Sequence, residues 1–202
     1  MTLRLAVLGD SIGYGTGATR TADTLAPRLA ADLTSGGRPT TTRVFAVPGA
    51  VSEDLAAQVA RAASWQPDVA VIVIGANDLS CSVPPARAAE QLRQAVRALR
   101  KLGAQVVVAP APDLSIVPYV PATMQAPLRA ASTQLRHAQA HAVLAEGGLV
   151  ADREAHSVAA FGANSALFCS DGFHPSSAGY AVIAAALAPA VRQAVGPLDQ
   201  AG

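Results

Sequence analysis

One lysine, Lys101, two cysteines and a 4% share of aromatic residues are what this sequence has least of. The scarcity of lysine removes the phosphate-binding P-loop, because no Gly-Lys-Ser/Thr occurs anywhere in the chain. Charge of one sign is also missing. The net charge is +1 and the 14 acidic residues are scattered, so there is no basic stripe for nucleic acid or an anionic membrane. The strongest apolar run, Val69 to Ile74, is far too short to cross a bilayer. The residues from Met1 to Leu8 lead into no small-residue cleavage site, so the expectation is a cytoplasmic protein as written, or a secreted one if a signal peptide has been removed. Cys81 and Cys169 make no disulfide framework by number. In an exported protein they can meet as a disulfide, and in a cytosol they stay thiols.

What is present suits a single domain over residues 1–202, with 51% hydrophobic and 14% charged residues and so enough apolar side chain for a core of its own. Short apolar runs at Leu3–Leu8, Thr42–Val47, Val69–Ile74 and Ala104–Ala109 each end at Gly or Pro and read as buried strands, with a fainter fifth near Gly148–Ala151. Helical periodicity lies between them, at about Thr24–Leu33, Ser52–Ala63, Ala86–Leu102, Pro127–Glu146 and Ser176–Val195. This alternation predicts an α/β fold: a mostly parallel sheet with helices on both faces and a site beyond the strands' carboxyl ends. Two long segments, Pro110–Pro121 and His156–Ser170, are expected to be loops and candidate substrate walls.

Chemistry-bearing residues fall at those strand ends. Ser11, in Gly9-Asp10-Ser11-Ile12-Gly13, follows the first strand, where a tight turn lifts its hydroxyl to the rim. Asp171 precedes His174 by three residues across a Gly172 turn closed by Pro175, so its carboxylate can fix one imidazole nitrogen and leave the other to take a serine proton. Asn77, in Gly75-Ala76-Asn77-Asp78, can aim an amide at a developing oxyanion, and the Gly49 N–H after Val47-Pro48 can add a second donor. Asp10 and Asp78 are read as hydrogen-bonding within their own loops, since a carboxylate aimed at an oxyanion would oppose catalysis.

Taken together, these blocks resemble the SGNH (GDSL) hydrolase family, named for a Ser, Gly, Asn and His in separate blocks. All four have matches here, in the family's order, between residue 5 and about residue 180. The resemblance implies a flavodoxin-like three-layer αβα sandwich and ester hydrolysis through an acyl-enzyme, with no metal or organic cofactor. It makes Ser11 the nucleophile, His174 general base then acid, and Asp171 the orienter of His174. The Ser11 and Gly49 amides and Asn77 become the oxyanion hole. The second block departs from the usual pattern, in which Asn often stands a few residues before the glycine; here the residues are Phe45-Ala46-Val47-Pro48.

Ile12, Leu79, Ile116, Val117, Tyr119 and Phe173 are placed near the rim as an acyl-binding wall, which favours short to medium acyl esters or lysophospholipids as small-molecule substrates. The same catalytic set also serves carbohydrate O-deacetylases, thioesterases and acyltransferases. A nucleotide-binding module using the Gly9–Gly15 loop is the rival from another class. A short-chain dehydrogenase, by resemblance, needs Tyr four residues before Lys, and position 97 is Arg97. His137 and His141 are one turn apart on a helix without the Glu of a zinc protease helix between them, and are read as part of a solvated or packed helix face rather than a metal site. Asp152 and His156 form a possible acid and base pair outside any strand-end context and receive no role.

Overall fold

The computed structural model describes residues 2–152 and 155–196. Strands β1 (Leu3–Gly9), β2 (Thr40–Val44), β3 (Val69–Val73), β4 (Gln105–Ala109) and β5 (Leu149–Val150) form one parallel sheet in the order β2-β1-β3-β4-β5. The helices are α1 (Ser11–Tyr14), α2 (Leu25–Ser35), α3 (Leu55–Ala63), α4 (Ala76–Ser80), α5 (Pro85–Lys101), α6 (Ala122–Ala145), α7 (His156–Ala163) and α8 (Ser177–Val195).

Alternation along the strands builds two cores. Ala6 and Leu8 of β1, Ala70 and Ile72 of β3, and Val106 and Val108 of β4 face one way, against Leu55 and Val59 of α3, Leu92 and Val96 of α5, and Val143 of α6. Leu5, Val7, Val71 and Val107 face the other way, against Leu25, Leu29 and Leu33 of α2 and Tyr180, Leu187 and Val191 of α8. Both faces are covered, which is why the central strands read as continuous apolar runs rather than alternating ones. By length and composition α8 can cross a bilayer. Its apolar stripe instead closes the second core.

The sheet order reverses between β1 and β3, and this opens a crevice at their carboxyl ends. Register levels the three central strands there: Gly9 pairs with Val73, and Val73 with Ala109.

Three helices lie where no periodicity marks one. Helices α1 and α4 are single turns immediately after strands. Helix α7 occupies the first half of the segment expected to be a loop. Its His-Ser-Val-Ala-Ala-Phe-Gly-Ala sequence has no clear stripe, and the helix is held by its packed Phe161 and by Asp152, which accepts the N–H groups of His156 (2.7 Å) and Ser157 (3.1 Å). Helix α6 starts five residues ahead of Pro127, which lies past the first turn and withholds the N–H that the Thr123 carbonyl would accept.

Candidate active site

Strand β1 delivers Ser11 to the crevice. Asp10 caps α1, its Oδ1 accepting the Ile12 N–H at 3.0 Å, and the Asp10 N–H donates to the Val73 carbonyl at 3.0 Å. Ser11 is the first residue of α1, so its N–H has no partner within that helix, and it is 6% exposed. Only glycine fits before it: Gly9 has φ +125°, and a Cβ there would lie 1.8 Å from the Val73 carbonyl oxygen. Gln58 of α3 holds this point by two bonds, accepting from the Gly9 N–H (2.7 Å) and donating to the Gly9 carbonyl (2.8 Å).

The second and third loops are tied to the first and to each other. Val47 N–H donates to the Gly9 carbonyl at 3.0 Å, and Ala50 N–H closes a turn onto Val47 at 3.1 Å, with the exposed Gly49 at φ +84° between them. From α4, Asn77 Nδ2 donates one of its two hydrogens to the Ala50 carbonyl at 2.9 Å. Next to it, Asp78 is fully buried and accepts from the Ser52 N–H (3.1 Å) and the Ser52 hydroxyl (3.0 Å). Asp78 therefore fastens the third block to the second rather than closing its own loop, because Ser52 is the donor that reaches its buried oxygens. Asp10 likewise combines its local cap with an N–H from Ala76 of the third block. Burial pushes the Asp10 carboxyl up to about 7 against the pull of those N–H donors, and raises Asp78 against its Ser52 bonds.

The fourth loop is a narrow turn. Phe168 bridges Pro175 in antiparallel fashion and Cys169 N–H donates to the His174 carbonyl at 2.8 Å. Inside it, Asp171 Oδ1 accepts the N–H groups of Phe173 (2.7 Å) and His174 (2.9 Å), while Oδ2 lies 2.6 Å from His174 Nδ1. Partial burial pushes the Asp171 carboxyl up, but the His174 ring, those two N–H donors and the Cys169 thiol together hold it below the usual carboxylate range. Nδ1 is thereby committed, and Nε2 remains for proton transfer.

Ser11 and His174 line the same pocket, of about 100 Å³, with Ile12 and Phe173 beside them. Ile116 and Val117 also line it. Leu79 and Tyr119 do not. Helix α4 turns Leu79 inward, between the apolar groups around Leu114 and around Leu135. Tyr119 is 61% exposed and covers Gly172 from outside. Gly49 and Asn77 border the crevice beside Ala50 rather than this pocket. Cys81 and Cys169 are free thiols, and Cys169 is engaged with Asp171. His137 and His141 are exposed on α6. Asp152 follows β5 by two residues, so it has the strand-end context that the sequence hid; it caps α7, accepts the Ser157 hydroxyl and lines the pocket.

Sequence reasoning missed the two buried glutamines. Gln58 acts on β1, and Gln139 of α6 accepts from the Ala111 N–H (2.7 Å) and donates to the Ile74 carbonyl (3.2 Å), joining the ends of β3 and β4. Each lies on the apolar stripe of its helix, with Leu55, Val59 and Ala62 or with Leu135, Ala142 and Val143. A polar residue in a core register is the signal that pointed to them.

A doubly wound sheet that brings Ser, Gly, Asn and Asp–His loops to one rim defines a class, the flavodoxin-like α/β hydrolases. Within it, the chain belongs to the GDSL-like lipase/acylhydrolase family, whose model matches residues 7–182. It is 32% identical over 197 residues to a GDSL-like esterase of Mycobacterium tuberculosis, covering 96% of this chain and 63% of that protein. The chain thus spans a little under two thirds of that relative's length. Among solved structures it resembles TesA (TM-score 0.73, 21% identity, 94% of this chain and 98% of that one). It also resembles Axe2, an acetylxylan esterase from Geobacillus stearothermophilus (TM-score 0.72, 20% identity, 94% of each chain). At these identities the structural likeness bears on the fold.

Proposed function

We propose that this chain hydrolyses carboxylic esters through an acyl-enzyme on Ser11. The observation that carries the reading is the 2.6 Å contact between Asp171 Oδ2 and His174 Nδ1, with His174 and Ser11 lining the same pocket. Ser11 Oγ attacks the ester carbonyl while His174 Nε2 takes its proton, and the Asp171 carboxylate stabilises the resulting imidazolium. The carbonyl oxygen becomes an oxyanion, received by the Ser11 and Gly49 N–H groups and by the second Asn77 amide hydrogen. Collapse breaks the C–O bond to the alcohol, which leaves with the His174 proton. Water then repeats the sequence at the acyl carbon, releasing the acid and restoring Ser11.

The test is hydrolysis of p-nitrophenyl acetate and butyrate by the wild type, Ser11→Ala and His174→Ala, with and without EDTA. Both variants are expected to lose at least about a thousandfold in kcat, and EDTA to change nothing. Activity retained in Ser11→Ala but lost to EDTA would reject the serine mechanism.

A further inference from the structure

The pocket beside Ser11 has an inside and an outside. Its lining joins Ser11 and His174 to the ends of β3 and β4, at Val73 and Ala109, and to Val158 and Phe161 of α7, which we take as its roof. The roof is fixed in place. Phe161 stacks edge-on against Phe168 with ring centroids 4.9 Å apart, and a Cβ at Gly162 would lie 3.8 Å from Ile116 of the opposite wall. Ile183 and Leu187 of α8 close the remaining side.

We infer that this roofed pocket holds the acyl group of the substrate, that it is sized for about four to five carbons, and that Val158 and Ile116 set that limit. The inference rests on the Ser11 reading above and names its substrate class: short-chain acyl esters. Which half of an ester goes under the roof follows from the order of bond breaking. The alcohol must depart after the first step, whereas the acyl group stays covalently bound to Ser11 until water arrives. A roofed apolar pocket suits the half that stays. The rim outside it, at the half-exposed Asp171 and exposed Tyr119, suits the half that leaves. Size follows from volume. An apolar cavity of about 150 Å³ takes a benzene ring, so one of about 100 Å³ takes roughly two thirds of that, or about four carbons.

Two measurements test this together. The first is kcat/KM for p-nitrophenyl esters from acetyl to decanoyl and for butyrate esters of methanol to hexanol. The acyl series should rise about fourfold per methylene, the equivalent of ~0.8 kcal/mol per buried CH2, up to about four or five carbons and then fall. The alcohol series should be nearly flat. Val158→Phe should cut the hexanoyl-to-acetyl ratio at least tenfold, and Val158→Ala or Ile116→Ala should raise it. These ratios are taken within each variant and do not depend on how much of it folds. The second measurement is thermal stabilisation of the wild type and Ser11→Ala by acetate through octanoate, which needs no turnover. Stabilisation should grow to butyrate or pentanoate and be lost in Val158→Phe. An alcohol-dependent profile, ratios unmoved by all three variants, or stabilisation independent of acid length would each overturn the pocket assignment. Absence of hydrolysis with length-dependent acid binding would instead overturn the Ser11 reading and leave the pocket standing.

Discussion

Asn77 joins two tasks in one amide. One Nδ2 hydrogen holds the Ala50 carbonyl and so fixes the turn that carries Gly49, and the other is the donor proposed for the oxyanion. The Asn77→Ala variant should therefore lose about a hundredfold to a thousandfold in kcat with KM almost unchanged, because the lost donor acts mainly in the transition state. Steady-state kinetics on one acyl ester decides it, and a rise in KM alone would reject the donor role. At this scale the sequence was most legible where a residue type is demanded by chemistry and its neighbours by geometry. Ser11, Asn77, Asp171 and His174 stood out because each lies in a short Gly-containing turn next to a strand or helix end. Leu79 and Tyr119 stay out of the pocket lining for a physical reason: hydrophobicity marks a residue for burial or contact, but the direction of a side chain on a one-turn helix or exposed loop depends on packing partners far away in the chain.

The strand ends are kept level by side chains from helices on the same face, Gln58 on β1 and Gln139 on β3 and β4. The Gln58→Leu variant fills similar volume but leaves the buried Gly9 N–H without an acceptor, a cost of about 1–3 kcal/mol. A fall in Tm of about 2–10 °C is expected for a chain of this size, together with reduced kcat because Ser11 follows Gly9 by two residues. Unchanged Tm by calorimetry or circular dichroism would show that the clamp carries no stability. The strands and five long helices were readable from periodicity because both faces of the sheet are covered and each long helix has a core stripe. Helix α7 was not, since nothing in its eight residues is periodic, and its stability comes from the Asp152 cap and from aromatic packing under it. Strand β2 begins and ends earlier than its apolar run suggests, at Thr40 and Val44, because Phe45 to Val47 leave the ladder to bond Val7 and Gly9 as a loop.

For the molecule as a whole, Asp10 makes stability depend on pH in an unusual direction. Burial raises its carboxyl to about 7 from an ordinary 3.8, so between those values the folded chain keeps a proton that the unfolded chain has released. This contribution to stability is present below about pH 4 and is lost as pH rises to 7. The Asp10→Asn variant stays neutral and retains an oxygen for the Ile12 N–H, so its Tm relative to the wild type should climb from pH 4 to pH 8 and then level. Parallel Tm curves would refute this. The placement of α8 has a consequence for how the fold closes. It supplies the layer of the second core over β3 and β4, and its own start is fixed to the turn bearing His174 by Ser176, which caps the helix and donates to Leu167. Without α8, Val71 and Val107 lose the cover of Tyr180, Leu187 and Val191. Closing that face and seating the proposed base thus depend on one helix, and a chain cut before Ser176 is expected to lose both.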